Sequence, residues 1–199
     1  MFKNRMFSHR MLAALLLVLP FSSANAALNQ GDKAPDFEAT AALAGKDIHF
    51  NLKEARQRGP VVVYFYPSAY TGGCNLQAHT FSTQIDKFTA AGASVVGVSL
   101  DSIERLRDFS ADPEFCAGKL AVASDPDGAI AKSFDVAVRP AAEGKVDSRG
   151  KTIDHGFAER VTFVVDGEGK VVSTISGFAA VENVEKALKA VQQLSSARK

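Results

Sequence analysis

The sequence predicts an α/β fold in which a mixed central β-sheet carries helices on both faces. Two continuous runs of β-branched and aromatic residues, at 61–66 and 95–100, are typical of strands buried on both sides. Two segments with helical periodicity lie at 75–89 and 181–194. Strands that alternate with helices favour parallel neighbours, whereas strands joined by a tight turn pair antiparallel. The chain contains both kinds of connection, so a mixed sheet is expected.

The first half of the chain begins extended and continues with strands and helices in turn. Residues 31–37 are expected to be extended because the residue before Pro35 is pushed out of the helical region. A turn at 44–47 predicts a hairpin. The predicted elements are strands at 37–41 and 48–51, a strand at 61–66, a helix at 75–89 that ends near Gly92, and a strand at 95–100.

The second half begins with a helix signal. The sequence DSIE at 101–104 resembles a capping box and predicts a helix that starts at Asp101. Pro113 argues against its simple continuation beyond about Ala111. A polar, glycine-containing stretch at 140–155 is typical of an exposed loop or hairpin. The remaining predicted elements are a strand at 120–123, a helix at 129–134, a hairpin of strands at 160–165 and 170–176, and a closing helix at 181–194.

Residues 1–26 have the three-part layout of a secretory signal peptide. Three basic residues precede an apolar stretch at 11–21, and small residues follow up to the Ala-x-Ala pattern that ends at Ala26. A membrane anchor is the competing interpretation, but this apolar stretch is short of the roughly twenty residues that a spanning helix needs. We therefore expect cleavage after Ala26, a single domain over residues 27–199, and an exported, periplasmic protein.

The charge balance gives no reason to expect nucleic acid or an anionic membrane as a partner. Cleavage would remove three of the 23 basic residues and none of the 22 acidic ones, which leaves a net charge of −2. The two cysteines are too few for a disulfide scaffold. They form either one structural disulfide or a redox-active pair, and the surroundings of Cys74 favour the second.

Cys74 stands at a predicted strand-to-helix turn. The octapeptide PSAYTGGC, residues 67–74, directly follows the strand at 61–66 and precedes the helix at 75–89. Unpaired backbone N–H groups and the positive end of the helix dipole are found at such a place, and both favour the thiolate over the thiol. The thiolate is the nucleophilic form of cysteine. The placement therefore indicates a reactive sulfur.

The motif Pro67-x-x-x-Thr71-x-x-Cys74, after a strand that ends in Tyr-Phe-Tyr, resembles the active site of the peroxiredoxin family. The opening GDKAPDF at 31–37 is similar to the start of that family's domain, and Arg160 precedes a predicted hairpin as it does there. The resemblance covers nearly all of the mature chain and is greatest to the bacterioferritin-comigratory (Q-type) group. It implies a thioredoxin-like fold and a thiol-dependent peroxidase of hydrogen peroxide and organic hydroperoxides, with no cofactor and no metal.

The resemblance also implies roles for single residues. Cys74 would be the peroxidatic cysteine, whose thiolate attacks a peroxide oxygen and becomes a sulfenic acid. Thr71 would offer its hydroxyl to the peroxide and the sulfur, and Pro67 would shield the pocket from water. Arg160 would stabilise the thiolate and polarise the O–O bond, helped by backbone N–H groups near Gly73 and Cys74. If the family resemblance is set aside, the simpler interpretations are that Arg160 is a surface charge, Thr71 a turn residue and Pro67 the residue that ends a strand.

Three positions depart from the pattern of the Q-type group. Gly72-Gly73 replaces a proline-glycine pair and loosens the loop, Gln77 replaces a glutamate, and His79 stands where many members have their resolving cysteine. Cys74 therefore cannot form a disulfide with a second cysteine of the same helix. By resemblance to other peroxiredoxins, Cys116 is expected to resolve Cys74 as an intramolecular disulfide after local unfolding. The alternative is a one-cysteine peroxidase in which Cys116 only fills space.

Other function classes fit the sequence less well than the peroxidase does. A disulfide reductase or copper chaperone needs a second cysteine close to the first, and residues 75–78 contain none. A non-catalytic redox sensor or binding module on the same fold stays open. The histidines at 49 and 155 form no metal set with the cysteines. The expected partners are a peroxide and an exported, thioredoxin-like thiol reductant, with no membrane after signal cleavage, and the protein is expected to be a monomer or weak dimer.

Overall fold

The computed structural model describes residues 27–141 and 143–197, so the predicted signal peptide lies outside the described residues. Among these residues, no helix is both long and apolar enough to cross a membrane. The elements are, in chain order, β1 (Glu38–Leu43), β2 (Lys46–Asn51), α1 (Leu52–Gln57), β3 (Val61–Phe65), α2 (Gly72–Ala90), β4 (Ser94–Ser99), α3 (Ile103–Ala111), β5 (Ala121–Ser124), α4 (Ala129–Ser133), β6 (Val138–Arg139), β7 (Phe157–Ala158), β8 (Val161–Val165), β9 (Val171–Ser176) and α5 (Ala180–Ala197).

One seven-stranded mixed sheet organises the described residues, in the order β2-β1-β5-β4-β3-β8-β9. The three central strands β3, β4 and β5 run parallel, because helices connect them in sequence. The flanking pairs are antiparallel. Strands β6 and β7 form a separate two-stranded ribbon. The predicted mixed α/β sheet is confirmed.

Helices cover both faces of this sheet. Successive side chains of a strand point to opposite faces, so Tyr64 and Tyr66 join one buried cluster and Phe65 joins the other. The first cluster contains the inner faces of α2, α3 and α5 and both cysteines. The second contains residues of α1 and α4. Cys74 and Cys116 therefore lie on the same side of the sheet.

The carboxyl ends of β3 and β4 meet at one edge of the sheet. Phe65 lies opposite Val98 in this parallel pair, so the segments that follow the two strands leave the sheet side by side. The loop from Pro67 to Gly73 follows β3, and Asp101 follows β4. This edge carries the candidate site.

Three short elements were not predicted. Helix α1 has six residues, too few to show a helical period, and is capped by the Asn51 side chain, which accepts the Glu54 N–H at 3.0 Å. Strands β6 and β7 have two residues each and therefore show no alternation. Their pairing becomes visible only in three dimensions.

The predicted cap at Asp101 is wrong. Ser102 is the N-cap of α3, and its hydroxyl accepts the Arg105 N–H at 3.4 Å. The Asp101 side chain is instead fully buried. The stretch at 140–155 contains an antiparallel bridge, as the predicted loop or hairpin allows, but it is not exposed throughout, because Asp147 and Ile153 are buried in it. The Asp147 carboxylate can be buried because it pairs with Arg105, whose Nη2 lies 2.9 Å away. The composition of the stretch does not show this pairing.

Candidate active site

Cys74 lies in the first turn of α2. The helix begins at Gly72 rather than after the cysteine, so the sulfur is carried by the helix itself. The Cys74 N–H donates to the Thr71 carbonyl at 2.9 Å, and the residue is only 3% exposed. The first-turn amides and the positive end of the helix dipole favour a negative charge on a side chain at this position. The site suits a thiolate.

Arg160 reaches Cys74 because of the register of the sheet. Strand β8 pairs antiparallel with β3, and Val161 lies opposite Phe65, the last residue of β3. The residue before β8 therefore lies beside the segment that leads into α2. There Arg160 Nη2 donates to Cys74 Sγ at 3.4 Å. A guanidinium so placed stabilises the thiolate and leaves further N–H groups for other acceptors.

A buried chain of amides holds the guanidinium in place. Arg160 Nη1 donates to the Gln77 side-chain oxygen, and Gln77 Nε2 donates to Asn183 Oδ1 at 3.0 Å. The Thr162 hydroxyl donates to the same oxygen at 2.6 Å, and Asn183 Nδ2 donates to the Ile175 carbonyl at 3.2 Å. Gln77, Thr162 and Asn183 are fully buried. Helix α5 and strand β9 thus support Arg160 through two uncharged side chains.

The sequence marks Gln77 as a departure from the pattern of the Q-type group, but it does not mark Asn183. An asparagine within an amphipathic helix gives no local signal, since its partners are 106 and 21 residues away. A fully buried amide must find partners, because an unpaired one costs about 1–3 kcal/mol. Only its burial, seen in three dimensions, marks Asn183 as part of the site.

Replacing Asn183 by leucine is expected to destabilise the protein and slow its reaction with peroxide. The change leaves the Gln77 N–H and the Thr162 hydroxyl without their acceptor, which costs about 2–4 kcal/mol in the free energy of unfolding. Looser support of Arg160 is expected to lower the peroxide rate constant about tenfold. Urea unfolding and peroxide consumption measure the two effects. Gln193→Leu, on an exposed part of the same helix, is the control and should change neither.

Thr71 and Pro67 lie in the loop between β3 and Cys74. Thr71 is the N-cap residue of α2, yet its hydroxyl makes no cap bond and donates to the Ser68 carbonyl at 2.8 Å. Its carbonyl accepts the N–H groups of Cys74 and Asn75 at 2.9 and 2.8 Å. Because the Thr71 hydroxyl donates its hydrogen bond to Ser68, the lone pairs of its oxygen are left to accept a hydrogen bond from another donor. Pro67 is half-buried at the edge where β3 ends.

Gly73 leaves room for the guanidinium. A Cβ built on Gly73 would lie 3.2 Å from Arg160 Nη2, closer than ordinary van der Waals contact. The sequence indicates a loop loosened by Gly72-Gly73. The structure adds a second reason for glycine at position 73, because a larger residue there would displace the arginine from the sulfur.

Cys116 lies in a series of turns after α3, which ends at Ala111 as Pro113 predicts. The residue is completely buried, and both thiols are free. Burial, with a smaller contribution from the Asp112 carboxylate, raises the pKa of the Cys116 thiol far above its ordinary value. In this conformation Cys116 is therefore a protonated thiol. Cys74 differs, because the Arg160 guanidinium beside it favours a negative charge on its sulfur.

The fold and the site together define a class: a thioredoxin-like thiol enzyme whose cysteine opens a helix beside an arginine. The AhpC/TSA family model matches residues 30–174. A relative in Mycobacterium tuberculosis with the name of a peroxiredoxin is 38% identical over 160 residues, which are 80% of this chain and 92% of the relative. Peroxiredoxin Bcp of Escherichia coli is 31% identical over 151 residues, 76% of this chain and 87% of Bcp.

A solved structure agrees with these relatives. The crystal structure of peroxidoxin BcpB from Mycobacterium tuberculosis has a TM-score of 0.69 to this protein at 30% identity, and the match covers 84% of this chain and 98% of that one. The chain belongs to the AhpC/TSA family, the peroxiredoxins, and within it to the bacterioferritin-comigratory (Q-type) kind. It is a thiol peroxidase, as the sequence predicts.

Proposed function

We propose that Cys74 is the peroxidatic cysteine of a two-cysteine peroxidase and that Cys116 resolves its oxidised form. The observation that carries the first part is the hydrogen bond from Arg160 Nη2 to Cys74 Sγ, at 3.4 Å, in the first turn of a helix. Positive charge and helix dipole act on the same atom. Both favour the thiolate that attacks peroxide.

The chemistry follows from this arrangement. The Cys74 thiolate attacks one peroxide oxygen, the O–O bond breaks, and the other oxygen takes a proton and leaves as water or an alcohol. Arg160 and the positive end of the α2 dipole stabilise the negative charge that moves from sulfur to the leaving oxygen. The Thr71 hydroxyl oxygen can accept a hydrogen bond from the peroxide. Cys74 is left as a sulfenic acid.

Resolution then consumes the second thiol. Cys116 attacks the sulfenic sulfur, an S–S bond forms, and the sulfenic oxygen leaves as water with a proton. An external dithiol reduces the disulfide and restores both thiols. Since Cys116 is fully buried and its pKa is raised by burial, its segment must open before it can act as a thiolate.

Features of the Cys116 segment favour such opening. Ala117 has a left-handed φ of 52°, which a non-glycine residue adopts at a cost, and Gly118 follows with φ of 68°. Turns rather than a helix carry the cysteine. Local opening of a short, strained turn costs less than unfolding of a packed helix.

Two side chains of α2 fasten this segment to the helix that carries Cys74. The His79 ring, through Nδ1, binds the Glu114 carbonyl at 2.9 Å, and the Ser82 hydroxyl donates to the Phe115 carbonyl at 2.7 Å. His79 thus holds the residues just before Cys116 and opposes the opening that resolution needs.

His79→Ala is expected to expose Cys116 more often. Losing one hydrogen bond of about 1 kcal/mol raises the open fraction, and with it the alkylation rate of Cys116, about fivefold. The measurement is maleimide labelling in a Cys74→Ser background, where Cys116 is the single thiol. His49→Ala is a suitable control because His49 is exposed on β2 beside Glu38. Equal labelling of the two variants would show that His79 does not restrain the segment.

One experiment tests the two-cysteine proposal directly. The reduced protein is treated with one equivalent of hydrogen peroxide, and separately of cumene hydroperoxide, then alkylated, digested and analysed by mass spectrometry. A peptide pair linked through Cys74 and Cys116 is expected. Stable sulfenic or sulfinic acid at Cys74 without the link would identify a one-cysteine peroxidase. No oxidation of Cys74 would indicate the binding module.

We also propose that the protein is exported and works in the periplasm with an exported, thioredoxin-like reductant. The signal-like pattern of residues 1–26 supports this. Expression of the full chain in a bacterial host is expected to yield a periplasmic protein that begins at Ala27, as read by N-terminal sequencing. A cytoplasmic protein that retains residues 1–26 would contradict the proposal. We propose a monomer or weak dimer, to be measured by light scattering.

A further inference from the structure

Tyr70 has an unusual backbone conformation in the loop that leads to Cys74. We call residues 67–73 the Cys74 loop. The φ of Tyr70 is 59°, in the left-handed region that a bulky residue enters only at a cost in free energy. The residue is also buried, with 3% of its surface exposed. Because such a conformation persists only where surrounding contacts hold it, the contacts of the Tyr70 ring help to determine the shape of the loop.

The Tyr70 ring packs against the segment that carries the second cysteine. We call residues 112–119 the Cys116 segment. The Tyr70 and Phe115 rings meet edge to face, with their centroids 5.6 Å apart, and Phe115 directly precedes Cys116. Tyr70 also meets Phe109 of α3 edge to face at 5.0 Å, and Phe109 stacks on Phe115 at 5.5 Å. These three rings join the Cys74 loop to the Cys116 segment.

The stretch before β8 holds the Tyr70 ring from another direction. The Arg149 guanidinium lies over the ring, with Cζ 3.3 Å from the centroid, in a cation–π contact. Carboxylates fix this guanidinium, since Nε lies 3.2 Å from Asp147 Oδ2 and Nη1 lies 3.6 Å from Asp108 Oδ2. Of the three groups that contact the ring, Phe115 is therefore the one that belongs to the Cys116 segment.

The start of the Cys74 loop is held by a different group. The buried Asp101 carboxylate accepts the Ala69 N–H at 2.8 Å and the Ser68 hydroxyl at 2.9 Å. His155 Nε2 lies 2.8 Å from the same carboxylate. None of these bonds involves the Cys116 segment. The part of the loop that can respond to that segment therefore begins at Tyr70.

Resolution requires both the loop and the segment to move. The segment is bound to α2 at His79 and Ser82, which are five and eight residues beyond Cys74. At the helical rise per residue this is about 8–12 Å along the axis. A disulfide needs Cα atoms within about 7 Å of each other. In addition, Cys74 is 3% exposed and Cys116 is completely buried, so a sulfur must reach the surface before an external thiol can attack the disulfide.

We propose that Tyr70 is the positioning residue that couples these two movements. While Phe115 is in place, the Tyr70 ring is surrounded and the Cys74 loop remains closed. When the Cys116 segment opens, the ring loses Phe115, its left-handed backbone is no longer fully held, and the loop from Tyr70 onwards opens as well. Coupling is reciprocal, so release of the loop favours opening of the segment by the same factor. The inference rests on the proposed resolution of Cys74 by Cys116.

Hydrogen exchange of the reduced mature protein, measured by mass spectrometry, tests the coupling. The Cys74 N–H, bonded to the Thr71 carbonyl at 2.9 Å, reports on the loop. The Ala117 N–H, bonded to the Asp112 carbonyl at 2.8 Å, reports on the segment. Phe115→Leu is expected to raise the exchange rate in both peptides by about 3- to 10-fold. A rise in the Ala117 peptide alone would overturn the inference.

A double-mutant cycle shows whether the Tyr70 ring transmits the effect. Tyr70→Leu is expected to raise exchange in both peptides, and Phe115→Leu added to it should then leave the loop peptide unchanged. Tyr70→Phe keeps the ring and should exchange like the parent protein. Phe178→Leu, which changes an exposed ring before α5, is the matched control and should also leave both peptides unchanged. An undiminished effect of Phe115→Leu on the loop in the Tyr70→Leu background would overturn the inference.

Two further measurements separate the coupling from other causes. Exchange in the peptide that contains β3 should stay at the parent rate in Phe115→Leu, and an equal rise there would show loss of the whole fold and overturn the inference. After one equivalent of hydrogen peroxide, the disulfide is expected to form about 3- to 5-fold faster in Phe115→Leu than in the parent. Coupled exchange without a Cys74–Cys116 disulfide in any variant would overturn the two-cysteine proposal and leave the coupling itself standing.

Discussion

A Cys74→Ser protein is expected to consume no peroxide above the uncatalysed background with dithiothreitol as reductant. The serine hydroxyl stays protonated at neutral pH and is a weak nucleophile without a neighbouring base. The Arg160 guanidinium that faces this position cannot take its proton, because arginine is always charged. The loss should be complete at every pH tested. The measurement is a colorimetric assay of the peroxide that remains after fixed times.

The matched variant is Cys116→Ser, which is expected to retain the first step and lose recycling. Dithiothreitol can reduce the Cys74 sulfenic acid directly, so activity with this small reductant should persist. Reduction by a thioredoxin, which needs a disulfide as its substrate, should be lost. When dithiothreitol is left out and peroxide is in excess, sulfinic acid at Cys74 should accumulate, because no second thiol traps the sulfenic acid. Unchanged thioredoxin-dependent turnover would contradict the role of Cys116, and activity in Cys74→Ser would contradict that of Cys74.

Arg160→Met is expected to lower the second-order rate constant for peroxide by about 10²–10³-fold. This is the usual effect of removing one donor that stabilises charge in a transition state. Here one guanidinium donates to the sulfur at 3.4 Å and carries five N–H groups in all. Methionine keeps much of the side-chain length and removes the charge.

Two controls separate this effect from a loss of structure. Arg58→Met changes an exposed arginine at the end of α1, which precedes β3, whereas Cys74 follows β3. It should leave the peroxide rate unchanged. Arg160→Lys keeps the charge, but an ammonium cannot form a fork that reaches both Cys74 and Gln77, so only partial recovery is expected. If Arg160→Met and the parent protein had equal rate constants for peroxide, Arg160 would have no role in the mechanism.

Much of the fold could be predicted because its signals are local. The buried strand at β3, the helix that follows it and the hairpin of β8 and β9 are each encoded in a few adjacent residues. The peroxiredoxin family followed from a short motif around Cys74 and is confirmed by the comparisons. Elements of two to six residues, such as α1, β6 and β7, have no period and were missed.

The position of α3 shows how a local signal can mislead. Asp101 and Ser102 are both good N-cap residues, and Glu104 made Asp101 the better match to a capping box. In the fold, Asp101 makes bonds to the Cys74 loop and to His155, and Ser102 caps the helix. A side chain that could cap a nearby helix or bind distant groups makes the contacts that give the lower free energy. Sequence spacing does not reveal which these are.

The sequence by itself determined the family of the chain and the place of Cys74 between a strand and a helix, because these depend on neighbours along the chain. The tertiary structure decided which distant side chains serve that cysteine. Arg160 reaches the sulfur through the register of β3 and β8, and Asn183 and His155 support the site from elements far along the chain. Such contacts depend on strand pairing and burial, and no local pattern encodes either.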